Sequence, residues 1–170
     1  MREYVVVERA LDEACLHRIA LAYDRLFESA APMDVKHGST SARIGDVLQR
    51  DECFAAVPVL PALLDLVRDI VGPANAGPQK LHKDVQGFAP PWPLAGFILM
   101  VDGFTEENDA TRFVPGSAGR SSIADDSVAE YACGPAGSLV VFNGCVWHGH
   151  GANRTPHPRR SLQGGFVAAV

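Results

Sequence analysis

The chain is short of the features that would cross-link it, export it or give it a basic surface. Only four cysteines occur in 170 residues, Cys15, Cys53, Cys133 and Cys145. None stands in a Cys-x-x-Cys pair, which argues against thiolate zinc sites and thioredoxin-type redox chemistry. A chain of this length buries enough surface to fold around one core without staples, so the four are expected as free thiols in a reducing compartment. No apolar run approaches the roughly eighteen residues of a membrane span. Met1-Arg2-Glu3-Tyr4 also lacks the apolar stretch of a signal peptide, and a soluble cytoplasmic protein is the expectation. Lys and Arg number 15 against 20 Asp and Glu, for a net charge of -5. Phosphate binding needs clustered cations, and the longest cluster here is Arg159-Arg160, which argues against nucleic acid as a partner.

What is present divides the chain near residue 72. Before it, Leu16, Ile19, Ala20, Tyr23, Leu26 and Phe27 recur at helical spacing, with Asp12 placed to cap and Leu11 to pack on Leu16. Further helices are predicted over about 43–56 and over 61–71, the latter begun by Pro61, stopped by Gly72-Pro73, and carrying Leu63, Leu64, Val67 and Ile70 on one side. Residues 35–42 read as loop. After it, short apolar runs at 94–101, 138–142 and 165–170 alternate with the turn signals Asp102-Gly103, Pro115-Gly116, Gly134-Pro135 and Asn143-Gly144. Many short strands without intervening helices predict a jelly-roll or cupin-like barrel. The whole reads as one domain over 1–170, with 1–72 a mainly helical flank and 73–170 the jelly-roll core.

Three features carry chemistry. His82-Lys83-Asp84 places an imidazole and a carboxylate on one face of an extended segment, because residues i and i+2 point the same way. Two imidazoles and one carboxylate on one face of an octahedral metal leave three positions for a bidentate 2-oxo acid and dioxygen, and His148, after an apolar strand, is the candidate second imidazole. Each feature has a plainer account, a solvated strand end for the triplet and a core histidine bonded to a carbonyl for His148. Arg159 and Ser161 share a face if the chain turns over 151–158 into an antiparallel strand beside His148, and a guanidinium fork with a hydroxyl suits a carboxylate. Trp92, Phe97, Phe113 and Trp147 read as core or as pocket lining, His150 and His157 as exposed loop histidines, and Cys145 as a small buried residue.

These residues carry a resemblance. Gln79-Lys80-Leu81-His82-Lys83-Asp84, then Glu107-Asn108-Asp109-Ala110-Thr111-Arg112-Phe113-Val114-Pro115-Gly116-Ser117, then Gly137-Ser138-Leu139-Val140-Val141-Phe142 with Trp147-His148-Gly149 and Asn153, resemble the phytanoyl-CoA dioxygenase-like family of iron(II) and 2-oxoglutarate-dependent oxygenases, in order along nearly the whole chain. The resemblance implies a double-stranded β-helix with the N-terminal helices packed on one side. It implies iron(II) on His82, Asp84 and His148, with 2-oxoglutarate as cosubstrate beside O2. Arg159 matches the arginine that pairs with the far carboxylate of 2-oxoglutarate, with Ser161 beside it, and Thr111 and Gln79 match positions that contact the same cosubstrate. A carboxylate at Asp84 leaves no room for halide on the metal, so hydroxylation or another oxidation of a small-molecule substrate, with release of succinate and CO2, is implied over halogenation. Two departures stand out: only ten residues, 72–81, separate the helix from His82, where the family carries additional strand and loop, and Asp109 replaces a common glycine. The competing readings are a cupin-type metal-binding protein without 2-oxoglutarate turnover, which has no use for Arg159, and an inactive relative that binds metal or ligand only.

Overall fold

Seven consecutive buried residues, Leu94–Met100, form a strand covered on both faces. In the computed structural model, which describes residues 4–37, 42–71, 78–79, 92–120, 127–157 and 159–168, this strand is the centre of the larger of two facing sheets. The strands are β1 (Tyr4–Val7), β2 (Val35–His37), β3 (Ala42–Ile44), β4 (Pro78–Gln79), β5 (Leu94–Met100), β6 (Thr111–Phe113), β7 (Glu130–Tyr131), β8 (Leu139–Asn143), β9 (His148–His150) and β10 (Ser161–Val167); the helices are α1 (Glu13–Ser29) and α2 (Pro61–Val71). The larger sheet runs β1-β8-β5-β10-β4, the smaller β7-β6-β9, and β2-β3 is a separate two-stranded hairpin. Every paired strand in the two sheets is antiparallel. This is the jelly-roll architecture expected from the strand spacing.

The period-two alternation sorts β5 and β8 between two cores. Ala95, Phe97, Leu99, Leu139 and Val141 join Leu162 and Phe166 against Ile19, Ala22, Phe54, Val57 and Leu63 on the helical side. Ile98, Met100, Val140 and Phe142 face the smaller sheet and meet Phe104, Ala110, Phe113 and Val146. Each large apolar side chain so buried stabilises the fold by roughly 1.5–3 kcal/mol. The helices therefore cover one face of the larger sheet, and the second sheet covers the other.

α1 starts as its sequence requires, with the Asp12 carboxylate accepting from the Cys15 N–H at 2.7 Å, and Cys15, Ile19 and Ala22 form its buried stripe. Pro61 does open α2, but on its described face Leu63 is buried and Leu64 exposed.

Three expectations are corrected. Residues 43–56 are not a helix: β3 is followed by short 3-10 turns at Val47–Gln49 and Glu52–Ala56. Asp46 takes a left-handed φ of 57° and Asp51 turns back to accept from the Cys53 N–H, so an unbroken helical run is interrupted twice. Val35–His37 and Ala42–Ile44 pair as strands rather than standing as loop. The last strand begins at Ser161, four residues before the apolar run, because its first half bonds to β5 through Ser161↔Met100 and Gln163↔Ile98.

Candidate active site between the two sheets

β9 is aligned on β6, with His148 opposite Phe113 and His150 opposite Thr111. Directly opposed side chains share a face, so these four residues lie together on the face that meets the larger sheet. His148 packs against Phe113 and Phe142, its ring centroid 5.5 and 4.9 Å from theirs. Its Nδ1 lies 3.0 Å from the Val146 carbonyl. With a proton donated to that carbonyl, the lone pair resides on Nε2, the tautomer a metal ligand needs.

The Pro115-Gly116-Ser117 turn explains how β9 is delivered. Gly116 has φ 72°, a conformation costly for other residues. The buried Ser117 hydroxyl accepts from the Trp147 N–H at 2.9 Å, and the Val114 N–H bonds the Trp147 carbonyl at 2.9 Å. Trp147 itself donates its indole N–H to the Arg120 carbonyl and stays 38% exposed, so it borders the core rather than filling it.

Arg159 and Ser161 do not sit on a hairpin partner of β9. The chain crosses from the smaller sheet to the larger, since β10 pairs with β5 and β4 while β9 pairs with β6. Asn153 organises the crossing: its carboxamide donates to the His157 carbonyl and accepts from the Thr155 N–H, both at 2.9 Å, and the residue bridges to Asn108. Arg160 pins the far end, bonding Asp102 through its backbone N–H and its guanidinium and reaching Asp24 on α1 at 2.7 Å. Burial works against ionisation of Asp102, yet the hydrogen bonds and charge of Arg160 outweigh it and hold the carboxyl below its ordinary range.

Arg159, just before Arg160, is directed elsewhere, toward Phe104 rather than Asp102. Its side chain is 5% exposed, with the guanidinium carbon 4.0 Å from the Phe104 ring centroid. Nε donates to the Asn108 carbonyl at 3.2 Å and Nη2 to Asp109 Oδ2 at 3.3 Å. Burial pulls the Arg159 pKa down and Asp109 opposes the shift. Nη1, although buried, has no hydrogen-bond partner among the described residues, and neither has the buried Thr111 hydroxyl. An unpaired cationic N–H group and an unpaired hydroxyl inside a core are costly unless something accepts from them. A carboxylate can accept from either donor.

The other expected residues fall in different places. His82 and Asp84 lie outside the described residues, and among those described no three His, Cys, Asp or Glu side chains converge as a metal cluster. Gln79 stands opposite Gly165 in the β4–β10 register. Ser161 is half-buried opposite Met100 and lies 3.5 Å from the Gln163 carboxamide nitrogen. Phe97 faces the helices, its ring tilted against Phe166 at a centroid distance of 5.9 Å, which removes it from any pocket between the sheets. His157 is an exposed loop residue, but His150 is not: it stands on β9 with Nδ1 buried and unpartnered, 4.0 Å from Asp109 Oδ1. Burial holds its pKa below the usual histidine range, with Asp109 opposing. Cys145 is half-buried, its N–H bonded to the Asn143 side chain. Sequence reasoning missed the part played by Asn108, whose side chain ties the 103–108 turn by donating to Gly103 and accepting from Thr105 so that its own carbonyl meets Arg159; an Asn in a Thr-x-x-Asn turn was the available signal.

Comparisons with known proteins agree with this architecture. The chain is 27% identical over 179 residues to dioxygenase trt7 of Aspergillus terreus, covering 80% of this chain and 62% of that protein. It is 35% identical over 115 residues to dioxygenase aneA of Aspergillus aculeatus, covering 58% of this chain and 37% of the relative. The chain thus spans less than two thirds of the length of either relative. Among solved structures, EctD from S. alaskensis in its apoform superposes with a TM-score of 0.79 at 16% identity, covering 98% of this chain and 73% of that one. The epimerase SnoN, solved with Fe3+, alpha ketoglutarate and nogalamycin RO, gives 0.77 at 17%, covering 99% and 80%. At such identities these two show a common fold. The profile of the phytanoyl-CoA dioxygenase (PhyH) family matches residues 2–161, and the chain belongs to that family.

Proposed function

We propose that this protein is an iron(II)- and 2-oxoglutarate-dependent dioxygenase that hydroxylates an unactivated carbon of a small organic substrate and releases succinate and CO2. The observation that carries the reading is the pair of buried, unsatisfied donors, Arg159 Nη1 and Thr111 Oγ1, on the inner side of a jelly-roll whose β9 sets His148 Nδ1 3.0 Å from the Val146 carbonyl. Iron would be held by His148 Nε2 with His82 and Asp84. Bound iron supplies the activation of dioxygen, one atom of which enters succinate while the other enters the substrate.

The chain's own residues do the rest. Arg159 and Thr111 donate to the far carboxylate of 2-oxoglutarate and fix its orientation, with Ser161 and Gln79 assigned to the same cosubstrate. Phe104 lies against the guanidinium and keeps water from it. Phe113 and Phe142 clamp the His148 ring, so the ligand needs no reordering when metal binds. Trp147, at the rim, is placed to meet substrate.

The test is anaerobic addition of iron(II) and 2-oxoglutarate to the purified protein. A weak visible charge-transfer band is expected, and under air succinate formation that His148→Ala abolishes. A folded protein that gives neither band nor succinate contradicts the proposal.

A further inference from the structure

Asp109 is an unexpected residue where it stands. Its φ of 73° lies in the left-handed region, which costs an L-residue about 1 kcal/mol and a glycine almost nothing. What Asp109 brings in exchange is a carboxylate, 19% exposed, set 3.3 Å from Arg159 Nη2, with Oδ1 buried, without a hydrogen bond and 4.0 Å from His150 Nδ1.

The guanidinium is thereby divided. Its Nε–Nη2 edge faces the chain's own oxygens, the Asn108 carbonyl and the Asp109 carboxylate, and Nη1 alone is left without an acceptor among the described residues. We infer that Asp109 is a specificity-determining residue of the Arg159 anchor: a resident counter-ion that compensates the buried guanidinium in the free protein and so lowers selectivity for a 2-oxo acid bearing a second carboxylate. The inference rests on the reading of Arg159 as the cosubstrate anchor.

The physical reason is competition for one charge. An incoming far carboxylate joins a guanidinium already paired, and two like charges sharing it repel by enough to change affinity on the order of tenfold. A 2-oxo acid with an uncharged tail meets no such opposition. Asp109→Asn removes the charge while its amide oxygen still accepts from Nη2, and Asn tolerates the left-handed backbone. Asp109→Gly removes both charge and strain, and keeps the test available if the amide variant folds poorly.

The experiment is an anaerobic titration of the iron-loaded protein, read by the chelate band, with 2-oxoglutarate and with 2-oxobutyrate, which has the same chelating end and no far carboxylate. The ratio of the two Kd values is expected to move about tenfold in favour of 2-oxoglutarate in both variants relative to the unsubstituted protein. A ratio unchanged within about twofold, or moved the other way, while both acids still give the band, overturns the inference and leaves the anchor reading standing. No band with either acid in any of the three folded proteins overturns both.

Discussion

Adding one methyl group at Gly96 should damage the proposed iron site from the opposite strand. Gly96 is the cross-strand partner of Phe142, whose ring lies over the bare glycine: a Cβ there would come within 2.7 Å of both Cε carbons and closer still to Cζ. Carbon contacts are comfortable at about 3.5–4.0 Å, so the ring must withdraw by about 1 Å. It has nowhere to go, since Phe142 is 6% exposed and is backed by Phe113 and His148 at centroid distances of 5.1 and 4.9 Å. Overpacking of this kind costs about 1–3 kcal/mol, reduced by the 0.4–1 kcal/mol or so that alanine gains by restricting the unfolded chain. A net loss of about 1–2 kcal/mol corresponds to a fall in Tm of roughly 2–8 °C for a domain of this size. Gly164→Ala is the matched control, because its Cβ would strike the Phe97 ring at 2.5 Å on the helical side of the sheet. Calorimetry should show similar losses for both, while iron(II) titration should show about tenfold weaker binding only in Gly96→Ala, where the His148 ring is displaced. Equal iron affinity in the two variants would refute the claim that Phe142 positions His148.

Thr111→Val replaces an unsatisfied buried hydroxyl with an isosteric methyl, so the metal-free protein should be as stable or up to about 1 kcal/mol more stable, yet bind 2-oxoglutarate about five- to tenfold more weakly; thermal melts and chelate-band titrations separate the two effects. Arg159→Lys loses the fork and its contact with Phe104, and should weaken 2-oxoglutarate binding by more than about tenfold with iron affinity unchanged. Asp102 has a folded pKa below its ordinary value of 3.8, so its link to Arg160 adds stability above that value and loses it as pH falls through the lower folded one. Urea unfolding should therefore place Asp102→Asn about 1–2 kcal/mol below the parent near pH 7, and the gap should narrow as pH falls below 3.8.

Much of the fold was legible because its signals are local. Asp12 and Pro61 mark helix starts, the apolar run at Leu94–Met100 marks the central strand, and Gly116 marks the turn before Ser117. Residues 43–56 misled because apolar spacing cannot reveal the left-handed Asp46 or the back-bonded Asp51. Pairing was also hidden: nothing near His148 says that its strand joins β6 while the next joins β5, since both partners lie far away in sequence. Within the candidate site, residue types were readable and environments were not. Arg159 was visible as a fork for a carboxylate, but its division between Asn108, Asp109 and an open Nη1 depends on a turn 50 residues upstream. Similarly, His150 read as a loop residue until its register with Thr111 put it on the inner face.

The account turns on Arg159 Nη1 receiving a carboxylate while His148 Nε2 receives the metal. A crystal structure of the protein grown anaerobically with iron(II) and 2-oxoglutarate measures this directly. The predicted result is continuous density for the cosubstrate, its far carboxylate within hydrogen-bond distance of Arg159 Nη1 and Thr111 Oγ1, and a metal bonded to His148 Nε2. Cosubstrate bound away from Arg159, or a metal that does not touch His148, would contradict it.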